Sequence, residues 1–320
     1  MQSIQLPVAP EQLKGYLPCT LISMPNNRLP TFALVILLLG LTACGKTDTT
    51  GDSPQESIIK EEQIADHAVA ADVLFLVLGK MALYDQSPAG DISLRNHHFV
   101  AEIMPETGRE IISGTLTSAS DESQVLEFNP EGNAFLAHGA RVLDPEELHR
   151  LHPDGEYYFS YQTQSGRMER QTIKLQKRDT IERMPLPAAI TLSQNGSLAS
   201  PGEIDPDSDL SLGWESMPGN TRVASSDLDD LIFVLVFDCF GDNIAHSGRP
   251  YQGGIFLTYR DSQYVVDAAS LEPGQIYKAI VEQATADVTI FQGVPGIATY
   301  ATLTFLEFQT SGVAEGKRCQ

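Results

Sequence analysis

Positive charge is scarce in this sequence. Its 320 residues carry 21 lysines and arginines against 42 aspartates and glutamates, for a formal net charge of −21. A surface of that sign repels phosphate backbones and anionic lipid headgroups, which excludes nucleic acid as a partner. Catalytic signatures are missing as well. There is no Gly-x-Ser-x-Gly elbow, no glycine-rich phosphate loop and no dinucleotide fingerprint. His97, His98, His138, His149 and His152 include no His-x-x-x-His pair with its glutamate, so zinc is not expected. Ala245-His246-Ser247-Gly248 sets a base beside a hydroxyl, but neighbours on a strand or turn do not bond as base and nucleophile must. No enzymatic activity is expected. Disorder is excluded in turn, because 42% of the residues are hydrophobic, ample for packed cores.

Long apolar runs are also lacking. Residues 32–41 are continuously apolar, but a membrane-spanning helix needs about 20 residues. A run this short is the core of a signal peptide. It ends in Leu41-Thr42-Ala43-Cys44, where small Thr42 and Ala43 suit the narrow cleft of a peptidase. This string resembles the lipobox of bacterial lipoprotein precursors. The resemblance implies that a diacylglyceryl group joins the Cys44 sulfur, that cleavage falls between Ala43 and Cys44, and that the lipid bilayer is a partner. One myristoyl-length chain binds membranes only marginally, with K of about 10⁴ M⁻¹, so stable anchoring takes more than one. Residue Gly45 is not the aspartate that retains many such proteins in the inner membrane, and the resemblance therefore favours the outer membrane of the bacterial envelope. Met24 is the expected start, because Met24-Pro-Asn-Asn-Arg28 makes a leader of normal proportions.

Past the leader (1–43), residues 44–71 read as a lipidated N-terminus and polar, acidic tether. Short apolar runs then alternate with turn residues at 73–78, 99–104, 111–116, 125–128 and 135–142. Asp144-Pro145-Glu146-Glu147 has a helix-start signature, with an N-cap aspartate, proline at N1 and acids in the first turn. Tyr157, Phe159 and Tyr161 share one face of a strand. A proline-containing linker, Met184-Pro185-Leu186-Pro187, precedes a second series in which Leu210, Leu212 and Trp214 share a face and 231–237 is apolar on both. Many short strands with almost no helix predict an all-β sandwich or barrel. The expected division is a first β-sandwich at 72–183, a second at 184–313 and a tail at 314–320, with few contacts across the linker.

With Cys44 blocked by lipid, Cys239 and Cys319 form an even pair suited to an oxidising compartment. A bridge between them would close a loop of about 80 residues, worth roughly 4–5 kcal/mol in the chain-entropy view. The alternative is two unpaired thiols.

Leu271-Glu272-Pro273-Gly274-Gln275-Ile276-Tyr277 resembles the tyrosine corner of fibronectin type III and immunoglobulin-like domains, and Leu151-His152-Pro153-Asp154-Gly155-Glu156-Tyr157 is a looser version of it. The resemblance implies tandem sandwiches in which Tyr277 and Tyr157 each reach back to the backbone. It says nearly nothing about activity. Asp205, Asp207 and Asp209 have the alternate spacing of calcium ligands. Leu210 and Ser216 stand where an EF-hand loop needs glycine and glutamate, which rules that motif out. A sandwich-edge calcium site joining these acids to Asp227, Asp229 or Asp230 stays as an alternative. The reading is a membrane-anchored, non-catalytic protein that displays sandwiches for binding a protein or glycan, or for spacing. Its rival is an ion-dependent sugar-binding protein or hydrolase built on the acidic loops of the second sandwich.

Overall fold

The computed structural model describes residues 68–176, 184–215, 217 and 228–314. Cys44, the tether up to residue 67 and Cys319 lie outside them. The first half contributes β1 (Val73–Gln86), β2 (Ile92–Pro105), β3 (Ile111–Ser118), β4 (Asp121–Glu127), β5 (Asn129–Glu131), β6 (Ala134–Val142), helix α1 (Pro145–Leu151), β7 (Gly155–Thr163) and β8 (Gly166–Leu175). The second half contributes β9 (Thr191–Gln194), β10 (Ser197–Leu198), β11 (Leu210–Gly213), β12 (Leu231–Asp238), β13 (Asn243–His246), β14 (Leu257–Thr258), β15 (Gln263–Val266), β16 (Ile276–Ala284), β17 (Asp287–Phe291) and β18 (Val294–Gln309).

Period-two burial explains the strands. In β7 the buried side chains are Tyr157, Phe159, Tyr161 and Thr163, with half-buried or exposed residues between them. β11 buries Leu210 and Leu212 and leads to Trp214, whose indole N–H donates to the Asp261 carbonyl at 3.0 Å. Helix α1 begins where its signature says: the Asp144 carboxylate accepts from the Glu146 N–H at 3.0 Å, and Pro145 follows the cap.

The strands assemble into three sheets. A long sheet has the order β13-β12-β16-β18-β1-β2-β6-β5, with β14 also beside β12 and β17 beside β18. Two four-stranded sheets, β4-β3-β7-β8 and β10-β9-β11-β15, complete the fold. Every ladder is antiparallel except that between β1 and β18. One core joins Leu76, Leu78 and Phe99 of the long sheet to Leu116, Phe159 and Ile173. Another joins Val234, Val281 and Phe308 to Leu192, Leu212 and Val266. Two sandwiches thus share one wall.

The sparse contact expected between the halves is not what the fold contains. β1 runs parallel to β18 from Leu76 opposite Gly296 to Gln86 opposite Leu306. Val294, Ala298 and Tyr300 of β18 belong to the first core. The linker is strapped down as well. Met184 packs on the first core, while Ala188 and Ile190 enter the second. The Gln86 side chain donates to the Ile190 carbonyl and accepts from its N–H, both at 2.7 Å. Thr302 donates to the Leu186 carbonyl at 3.1 Å. Prolines in the linker keep it extended, but extension here lays it along the shared sheet.

Both tyrosines of the Leu-x-Pro-type turns are buried and bonded to backbone. Tyr277 is 2% exposed, and its hydroxyl accepts from the Glu272 N–H at 2.7 Å. Tyr157, equally buried, donates to the Pro153 carbonyl at 2.7 Å. Gly274 makes the second turn possible. Its φ of +68° suits glycine, and a Cβ there would lie 2.5 Å from the Ala314 nitrogen. Tyr264, in a segment without such a turn, also has a backbone partner, donating to the His246 carbonyl at 2.9 Å in an exposed setting. Replacing Tyr277 with phenylalanine should therefore cost about 1–2 kcal/mol in urea unfolding, and the same change at Tyr264 less, because water can replace its bond. Equal losses would count against a special role for Tyr277.

Candidate functional site

Sequence reasoning pointed to acids at the entry to β11, and the structure does not bring them together as a site. The Asp205 carboxylate accepts from the Asp207 N–H at 3.0 Å and from the Ser208 hydroxyl at 2.8 Å. Asp209 accepts from the Ala268 N–H at 2.9 Å, across the gap to the 3₁₀ turn Ala268–Ser270. Asp229 pairs with Arg260, and buried Asp230 accepts from the Ala286 N–H at 2.9 Å. Asp227 lies outside the described residues. These short acidic side chains close turns and fasten loops, the usual alternative use of aspartate. Among the described residues no three His, Cys, Asp or Glu side chains converge as metal ligands. Ser247 is likewise committed: its hydroxyl accepts from the Val234 N–H at 2.9 Å, while His246 Nδ1 accepts from the Gly248 N–H. Cys239, just past β12, is disulfide-bonded, and its partner falls outside the described residues.

Two other constellations were not foreseen. The first lies in the seam between the sandwiches. Lys80 of β1 is 2% exposed, and its ammonium donates to Asp154 Oδ1 at 2.6 Å and meets His149 Nδ1 at 3.2 Å. The Tyr300 hydroxyl of β18 reaches the same Asp154 oxygen at 2.6 Å. Burial pushes the Asp154 pKa up, but the bonds from Lys80 and Tyr300 and the nearby positive charge outweigh it and hold the carboxyl below its usual value. Close by, His152 stacks on Phe99 with ring centres 4.1 Å apart and accepts from the Ala140 N–H at 3.0 Å. Burial, helped by the Lys80 charge, lowers its pKa to about 4. This network ties α1 and the start of β7 to both central strands. Its groups are paired with one another, so the arrangement acts as a lock between the two halves.

The second constellation is open. Residues of the opposite parity on the central strands, such as Phe75 and Val77 of β1 and Ile297 of β18, face away from the two small sheets and form a third apolar cluster. The connection between β13 and β14 folds over them, with Arg249 and Phe256 facing inward and Tyr251 reaching Phe75 at 6.2 Å between ring centres. Gly248 permits that fold. At its φ of +80° an added Cβ would meet the Ile255 carbonyl oxygen at 2.3 Å. Beneath the connection is a cavity of about 140 Å³.

Three charged side chains line this cavity. Arg249 pairs with Glu102 of β2 at 3.1 Å and lies over the Phe233 ring at 5.2 Å. Glu282 of β16 is half-buried among apolar neighbours. Its removal from water, with Glu102 adding repulsion against the opposing pull of Arg249, raises its pKa to about 7. Thr299 of β18 also lines the cavity, 5% exposed, and its hydroxyl has no hydrogen-bond partner. Glu102 and Glu282 are far apart in sequence and meet only through the shared sheet. The one legible signal was a glutamate placed directly after the apolar run 279–281. No protein-family model and no curated protein matches this chain.

Proposed function

We propose that this protein is an exported, lipid-anchored binding module of the bacterial envelope, non-catalytic, with immunoglobulin- and fibronectin type III-like sandwiches as its working part. The carrying observation is the apolar run 32–41 ending in Leu41-Thr42-Ala43-Cys44, which has the length of a signal core rather than a span. The disulfide at Cys239 suits an oxidising compartment outside the cytoplasm. Backbone bonds at Tyr277 and Tyr157 support the fibronectin type III-like reading of the sandwiches. Gly45 favours delivery to the outer membrane, and a net charge of −21 disfavours adhesion of the folded part to anionic lipid. The half-open cavity on the outward sheet face supports binding as the task.

Cys44→Ser tests the anchor. Serine offers no thiol for the diacylglyceryl group, so the variant should lose palmitate labelling entirely and accumulate unprocessed. Wild-type protein should enter the detergent-rich phase on phase separation. Its recovery in the aqueous phase, unlabelled, would remove the lipoprotein reading.

A further inference from the structure

We propose that the cavity on the outward face of the shared sheet binds a small amine, an apolar body of about a benzene ring's size with one ammonium group that pairs with Glu282. The inference rests on reading the sandwiches as a binding module and names the ligand class of that module.

Size and wall chemistry define the body. A cavity of about 140 Å³ is close to the roughly 150 Å³ in which an apolar protein site accepts benzene. Phe75, Val77 and Phe233 supply its apolar and aromatic walls. The polar groups define the head. Arg249 bonds Glu102 through one nitrogen and lies over the Phe233 ring, so its charge is offset by that glutamate within the cavity wall. The Glu282 carboxylate lines the same cavity, and the buried Thr299 hydroxyl there has no hydrogen-bond partner. An unpaired buried polar atom is costly, and Thr299 is 95% removed from solvent in a sheet whose backbone cannot reach it. An ammonium group has three donors and no acceptor, which suits the Glu282 carboxylate. Two glutamates against one arginine leave the cavity net negative, and the charge of the whole chain draws cations toward it.

Protonation adds a check on the same geometry. Besides Glu282, the charged groups facing the cavity are Glu102 of β2 and Arg249 of the β13–β14 connection, while the cross-strand neighbours of Glu282 are Phe233 and Leu303. Amine binding should therefore strengthen as pH rises from 6 to 8 and Glu282 ionises.

Calorimetric titration of the detergent-solubilised protein with three isosteric probes decides the matter. Benzylamine should bind saturably with a Kd of about 1 mM or below. Benzyl alcohol should bind about tenfold more weakly, and benzoate not at all. Glu282→Gln should lower the benzylamine affinity about tenfold. This variant is near-isosteric and removes a charge that burial disfavours, so a thermal melt no lower than wild type should show it folded. Benzoate binding as tightly as benzylamine would assign the cavity to anions on Arg249 and overturn the proposal. So would an unchanged benzylamine affinity in Glu282→Gln, or no saturable binding of benzylamine. None of these outcomes bears on palmitate labelling at Cys44, so the anchor and the ligand stand or fall separately.

Discussion

Asp154→Ala should destabilise the protein by about 3 kcal/mol in urea unfolding, more than removal of its partner. Lys80 is the reason. Its side chain is 3% exposed with the ammonium 2.6 Å from the carboxylate, and without Asp154 it becomes a buried charge that has lost its carboxylate partner. Breaking a buried ion pair from one side costs about 3–5 kcal/mol, and the lower end applies because Asp154 is 22% exposed. Lys80→Met leaves Asp154 with the Tyr300 hydroxyl and some contact with water, so its cost should be about 1–2 kcal/mol. The double variant has no stranded charge and should recover most of the loss, giving a coupling energy above about 1 kcal/mol. Additive losses would mean that the pair does not act as a lock. The pH dependence has a defined sign. A carboxyl held below its ordinary value contributes stability that is fully present above about pH 4 and is lost as pH falls through its folded pKa. The wild-type advantage over Asp154→Ala should shrink in that acid range.

Local elements of this fold are readable in sequence because local chemistry decides them. Alternation marks the buried face of β7, Asp144-Pro145 starts α1, and the Leu-x-Pro-Gly turn places Tyr277 near its own backbone. What could not be read is the pairing that makes the molecule one body. Residues 73–78, apolar on both faces, signal a strand buried from both sides, but nothing local names the strand beside it. Its neighbour β18 lies more than two hundred residues away, and a parallel ladder has no hairpin turn to announce it. The candidate cavity inherits that blindness. Glu102, Arg249, Glu282 and Thr299 come from three strands and a connection, and they converge only once β1 and β18 are adjacent. The acidic series around Asp205 misled for the opposite reason. Its spacing was conspicuous, yet alternate aspartates serve equally well as turn-closing groups, and that is the use the backbone made of them.

Residues 44–183 and 184–320, produced as separate chains, should fail alone and assemble when combined. In the second fragment β18 would lose its whole parallel ladder to β1 and present a long, largely apolar edge strand to solvent. Such an edge invites aggregation. In the first fragment the core would lose Val294, Ala298 and Tyr300, and Lys80 and Asp154 would lose the Tyr300 that joins them to β18. Each side chain so lost removes about 1–3 kcal/mol of burial, so the three together remove about 3–9 kcal/mol, comparable with the roughly 5–15 kcal/mol by which a whole domain is stable. Neither fragment should therefore give a cooperative urea transition near that of the intact chain. Produced together, the two should elute as a soluble one-to-one complex with that transition largely restored, because the ladder and the shared cores can form between chains as they do within one. Pro185 and Pro187 do not alter this expectation, since the linker acts by lying along the sheet and the cut at 183/184 leaves it attached to the second fragment. If 184–320 alone unfolded cooperatively at the midpoint of the full protein, the shared wall would be dispensable and the sandwiches would be independent domains after all. Failure of each fragment alone with recovery on mixing is the outcome that a single sheet built from both ends of the chain requires.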